Sequence, residues 1–152
     1  MLLTVQNNLA KTYQALGRHE EALRMKQDVY AGRVKLNGKE HEKTLIVANN
    51  LASSLISLQR LEEASSLMRK NIPVARRVLG DSHEFTLRIR WVYALALCRN
   101  DGATLGDLRE AVETLESVEL LYTRVFGASH PETPKIKKAL REARQALATC
   151  TT

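Results

Sequence analysis

The sequence is short of what most catalytic and membrane proteins require. It has two cysteines in 152 residues, Cys98 and Cys150, with no CxxC motif and no metal-ligand spacing. They read as two reduced thiols of an intracellular protein rather than as a disulfide. Aromatic residues make up 5% of the chain, too few for a surface on which single-stranded nucleic acid would stack. No run of eighteen apolar residues occurs, so no segment reads as a membrane-spanning helix. The opening residues carry neither a basic n-region nor a small-residue cleavage site, and no signal peptide is expected. GxSxG, HExxH and glycine-rich phosphate loops are all missing. The expectation is a non-enzymatic cytoplasmic protein that needs no cofactor and no metal. What is present fits that: 44% hydrophobic and 26% charged residues, the balance of a globular chain. A net charge of +6 suits acidic partners or simply solubility.

The strongest positive signal is internal repetition. Asn7-Asn8-Leu9-Ala10 returns 42 residues later as Asn49-Asn50-Leu51-Ala52, and the same slot then reads Trp91-Val92-Tyr93-Ala94. Glu20-Glu21-Ala22 returns as Glu62-Glu63-Ala64 and, more loosely, as Arg109-Glu110-Ala111. Three further matching segments begin at Gly38, Gly80 and Gly127, each with a histidine three residues on (His41, His83, His130) and a threonine three beyond that (Thr44, Thr86, Thr133). The last step is 47 residues, and its surplus of five is expected around residues 101–106. The repeats are placed at about 2–43, 44–85 and 86–132, within a single domain of residues 1–152.

Within each repeat, apolar residues three and four apart predict two helices. The first helices fall at about 4–16, 44–58 and 85–100, and the second at 20–36, 61–79 and 105–126. Gly17, Gly38, Gly80 and Gly127 stand where helices end in a residue that tolerates positive φ. Pro131 is expected at the first helical position of the next helix, with Glu132 in its first turn. Pro73 should kink the fourth helix, unless the boundary is wrong. Ala10, Ala22, Ala52 and Ala64 mark close helix crossings. A last segment, residues 133–150, puts Ile136, Ala139, Leu140, Ala143 and Leu147 on one face, as a terminal cap needs. The architecture expected is all-α: a right-handed superhelical solenoid of three helix pairs plus a C-terminal capping helix. The first helix lacks such a polar cover, which suggests the C-terminal piece of a longer array.

The pattern NNLA, then G-x-x-EEA, then LG-x-x-H-x-x-T resembles the 42-residue tetratricopeptide repeat of kinesin light chains. The resemblance spans roughly residues 2–133. It implies an adaptor whose inner helices line a concave groove, where asparagines hold the backbone of an extended peptide. By position these are Asn7, Asn8, Asn49 and Asn50. An asparagine offers a donor and an acceptor, which suits a peptide backbone. The third copy departs from the pattern, with Trp91 and Val92 in place of the pair.

Helix phase adds Thr4, Lys11, Ile46, Ser53, Ser57, Arg88, Leu95 and Arg99 to the groove or its border. Lys11, Arg88 and Arg99 would make it positive and suited to an acidic peptide or a C-terminal carboxylate. The peptide-binding candidates are therefore Asn7, Asn8, Lys11, Asn49, Asn50, Ser53, Arg88 and Arg99. Each of them has an ordinary reading as a solvated surface position. His41, His83 and His130 recur one repeat apart, too far to share a metal ion, and are expected to cap the helices that follow them. His19 reads as exposed. Glu20-Glu21 and Glu62-Glu63 open helices, where acids complement the dipole. Cys98 lies in an apolar stretch and reads as packing, and Trp91 reads as either packing or a ligand anchor. Two alternatives stand beside the peptide adaptor. One is an architectural or self-associating segment that pairs through Leu2, Val5 and Leu9. The other is nucleic-acid contact through the cap, which carries Lys135, Lys137, Lys138, Arg141 and Arg144, with Arg124 nearby.

Overall fold

The computed structural model describes residues 2–151. Seven helices make up the described chain: α1 (Leu2–Ala15), α2 (His19–Asn37), α3 (Glu42–Ser57), α4 (Leu61–Leu79), α5 (Glu84–Arg99), α6 (Leu105–Phe126) and α7 (Thr133–Thr151). Consecutive helices pack against one another. Across the pairs, the backbone of α3 closely approaches that of α5 and α5 that of α7, whereas among the described residues α2, α4 and α6 do not approach one another so closely. Helices α3, α5 and α7 therefore line the inner, concave side of the solenoid, α1 joins them by repeat register rather than by such a contact, and α2, α4 and α6 form the outer side.

The repeated Gly-x-x-His-x-x-Thr segment is the joint between pairs. Gly38, Gly80 and Gly127 take φ of 83°, 93° and 90°, a region that L side chains avoid. The histidine Nδ1 then accepts the backbone N–H two residues on, at 3.1 Å in each copy: from Lys43, Phe85 and Glu132. The threonines are buried. Thr44 and Thr133 donate back to the Gly38 and Gly127 carbonyls, at 2.7 and 3.1 Å. His41 and His83 thus each satisfy an end donor that the helix leaves orphaned, and His130 makes the same bond within the turn that leads into α7. The capping role expected for all three is the one the structure gives His41 and His83; His130 falls short of it because α7 begins only at Thr133.

Three details differ from or refine the sequence reading. The last helix starts at Thr133, and Pro131 and Glu132 lie in the turn before it. The reason is Pro134. Leu45 and Leu87 donate their N–H to the carbonyls of His41 and His83, and the matching N–H to His130 does not exist in a proline. The five surplus residues are divided: the turn at 100–104 has five residues against three at 16–18 and 58–60, and α6 has 22 against 19 in α2 and α4. Finally, α4 runs through Pro73 to Leu79, so its boundary stands. One signal was overlooked. Thr104 and Asp107 form a reciprocal capping box at the start of α6, a pattern visible as Thr-x-x-Asp.

The core runs along the array between the two layers. Ala10, Ala22, Ala52 and Ala64 are all buried, at 0–1% exposure, as close crossings demand. The cap face of α7 (Ile136, Ala139, Leu140, Ala143) is buried too. At the other end the pattern breaks. Val5 is 60% exposed and Leu9 42%, whereas their counterparts Val47 and Leu51 are 7% and 5% exposed. An outer helix covers α3, α5 and α7 on that side, and among the described residues none covers α1. The side chain of Leu2 lies outside the described residues.

Candidate functional site

The repeat register stacks inner-helix residues into rows across the concave face. One row is Asn8, Asn50, Val92 and Ala139. Beside it run Lys11, Ser53, Leu95 and Glu142, and then Asn7, Asn49, Trp91 and Lys138. Asn8, Lys11 and Ser53 are exposed, and Asn50 is half-buried. Ser53 donates its hydroxyl to the Asn49 carbonyl at 3.1 Å, so it offers an incoming chain only its acceptor capacity. Asn7 and Asn49 sit deeper than expected for groove contacts. Their Oδ1 atoms are buried without a hydrogen-bond partner in the protein, and so is Trp91 Nε1 in the same row. A buried polar atom left unpaired costs about 1–3 kcal/mol, so three in register mark a row whose hydrogen-bonding capacity is unmet.

The positive groove expected from Lys11, Arg88 and Arg99 is largely neutralised. Arg88 pairs with Glu84 at 3.1 Å, and Arg99 with Glu142 at 3.4 Å across from α5 to α7. Helix spacing explains the first pair, since Glu84 is four residues from Arg88. The second needs the tertiary contact with α7 and could not be read locally. Lys11 has no carboxylate partner among the described residues. On the cap, Lys135 pairs with Glu132 and Arg144 with Glu116, which thins the basic patch.

Between α5 and α7 the concave face opens into a crevice of about 150 Å³. Trp91 and Leu95 contribute apolar surface to its lining, and Arg99, Lys135, Lys138 and Glu142 are its charged residues. Trp91 also packs against the core, so it is at once packing and lining. Cys98 is half-buried behind this face. Burial pushes its thiol up from the ordinary range, which makes it a poor nucleophile near neutral pH. At the other end, Lys26 of α2 lies buried between α1 and α3. Burial pushes its pKa down, and the neighbouring Lys11 adds to the effect.

Residues 1–70 match the family model described as the tetratricopeptide repeat. A solved structure from Podospora anserina, described as having kinesin light chain nearly identical TPR-like repeats, superposes with a TM-score of 0.76 at 28% identity, covering 97% of this chain and 67% of that one. The chain has the fold of kinesin-light-chain-like tetratricopeptide repeat arrays, and its residues 1–70 carry the repeat. A single-substitution variant of the same Podospora protein gives a TM-score of 0.78 at 27% identity with the same coverage. BtubC (BKLC) from P. vanneervenii shares the fold at a TM-score of 0.62 and 14% identity, covering 99% of this chain and 65% of that one. No curated protein matches the sequence. Tetratricopeptide repeats are scaffolds for protein–protein interaction, and among the described residues no helix is long and apolar enough to cross a membrane.

Proposed function

We propose that this tetratricopeptide array is a cytoplasmic adaptor that holds an extended peptide segment of a partner protein on its concave face. The observation that carries the reading is the continuous surface of inner-helix rows. Asn8 and Asn50 repeat at the same height on α1 and α3, and Asn7, Asn49 and Trp91 line up in the row beside them. The asparagines supply donors and acceptors to a peptide backbone. Lys11, Ser53, Arg88 and Arg99 border the track, and the Trp91–Leu95 crevice seats one side chain. Lys11 and Lys138, without a carboxylate partner among the described residues, favour a segment with acidic residues at either end of that track.

The test is retention of partners from lysate by the native protein and by Asn8→Leu/Asn50→Leu, whose fold is checked by circular dichroism. Asn8 is exposed and Asn50 half-buried, neither in the core, so the expected outcome is a folded variant that no longer retains the specific proteins. Equal retention by both forms contradicts the groove reading.

A second reading has its own observation. The uncovered α1 face around Val5 and Leu9 is built like faces that are buried elsewhere in the chain. An architectural role, in which this face meets further repeats or another copy, would show as a mass that rises with concentration.

A further inference from the structure

Lys26 is 5% exposed and has no carboxylate partner among the described residues. Its Nζ donates to Gln14 Oε1 of α1 and to Ser54 Oγ of α3, both at 2.6 Å. The repeat register gives the same slot to Met68 in α4 and Leu115 in α6, both fully buried. The neighbours change together with the slot. Gln14 and Ser54 correspond to Ile56 and Ala96 around Met68, and to Cys98 and Ala143 around Leu115. Two of the three slots are thus free of charge and largely apolar, and the first alone is polar in all three members.

The backbone differs in the same place. No Cα of α1 lies within 8 Å of a Cα of α3 among the described residues, whereas α3–α5 and α5–α7 do approach that closely. An apolar side chain lets neighbouring helices close until they touch. An ammonium that must keep two acceptors at hydrogen-bond distance sets a separation of its own. A buried cation without a counter-ion is costly, and well-packed apolar residues in place of buried charge are often more stable. Stability therefore does not account for the trio.

We infer that Lys26 is a positioning residue of the concave face: with Gln14 and Ser54 it forms a strut that holds α1 away from α3. The strut sets the distance between the Asn7/Asn8 and Asn49/Asn50 pairs, and so the spacing of peptide groups that fit the first part of the track. That functional consequence rests on the groove reading; the spacing itself does not.

Spin labels measure the strut directly. In a Cys98→Ser/Cys150→Ser background, Ala15→Cys with Ser57→Cys reports the α1–α3 separation, and Ser57→Cys with Arg99→Cys reports α3–α5 at equivalent positions. The α1–α3 distance is expected to be the longer in the native sequence. Converting the trio to the residues of the next slot (Lys26→Met, Gln14→Ile, Ser54→Ala) should bring it down to the α3–α5 value. The single variant Lys26→Leu should shift it in the same direction, and gives the answer if the triple variant does not fold. An α1–α3 distance that stays at the native value in a folded variant overturns the inference. Partner retention by Asn8→Leu/Asn50→Leu is scored separately, so that failure of the strut and failure of the groove reading are told apart.

Discussion

Leu115→Lys is expected to unfold the array at a far lower denaturant concentration than the native chain withstands, and to be worse than Leu115→Ala. Leu115 is fully buried in α6. Truncating a fully buried leucine to alanine costs about 2–5 kcal/mol, through lost burial and the cavity left behind. Lysine adds the desolvation of a charge. The same residue type is accommodated at Lys26 only because Gln14 and Ser54 accept hydrogen bonds from its ammonium. The residues that occupy those two positions around Leu115 are Cys98 and Ala143, which give an ammonium almost nothing to bond. Since a whole domain is stable by only about 5–15 kcal/mol, urea unfolding followed by circular dichroism should show the variant largely unfolded. Leu115→Lys and Leu115→Ala with equal midpoints would mean that the slot admits water, and the account of the Lys26 trio would lose its physical basis.

Leu51→Ala and Leu9→Ala should differ by several-fold in cost although they are the same substitution at equivalent positions. Leu51 is 5% exposed, under the outer helix of the preceding pair, and Leu9 is 42% exposed at the open end. The first should lose about 2–5 kcal/mol. The second should lose about 1 kcal/mol or less, since much of its surface is already in water and surface changes are usually small. The comparison also probes assembly. Stability in such arrays is a sum of unit and neighbour-interface contributions, so a protein whose α1 face is covered by another copy at working concentration would show a large cost at Leu9 as well. Urea midpoints measured at low and high protein concentration decide between the two.

Much of this was legible in the sequence because a stacked repeat samples the same environment several times. Most helix bounds, the cap face of α7, the four crossing alanines and the capping histidines His41 and His83 all follow from residues that recur in register. What escaped depended on contacts between elements that the register does not display. The partner of Arg99 is Glu142, 43 residues away, and it removes charge that the inner helix alone seemed to offer. The effect of Pro134 emerges only when it is aligned with Leu45 and Leu87 and the missing N–H is recognised. The Lys26 trio was written in the sequence, since Lys26, Met68 and Leu115 are in register. It gained meaning only once Gln14 and Ser54 were seen on either side of the ammonium. For the candidate site, sequence phase placed Asn8, Lys11 and Ser53 on the surface correctly. It did not separate Asn7 and Asn49, whose amide oxygens turn inward, because adjacent residues on a helix differ by about 100° and a border position can fall either way.

The central claim, that the concave face holds a partner peptide, is tested most directly by photo-crosslinking. A photoreactive residue is placed at Ser53, exposed on the inner helix α3, and in a second protein at Lys70, exposed on the outer helix α4. After capture from lysate and irradiation, the account predicts crosslinks from position 53 that map to one short contiguous segment of a partner, and none to that segment from position 70. Crosslinking of the partner from position 70 but not from position 53 would place binding on the outer surface and contradict the account.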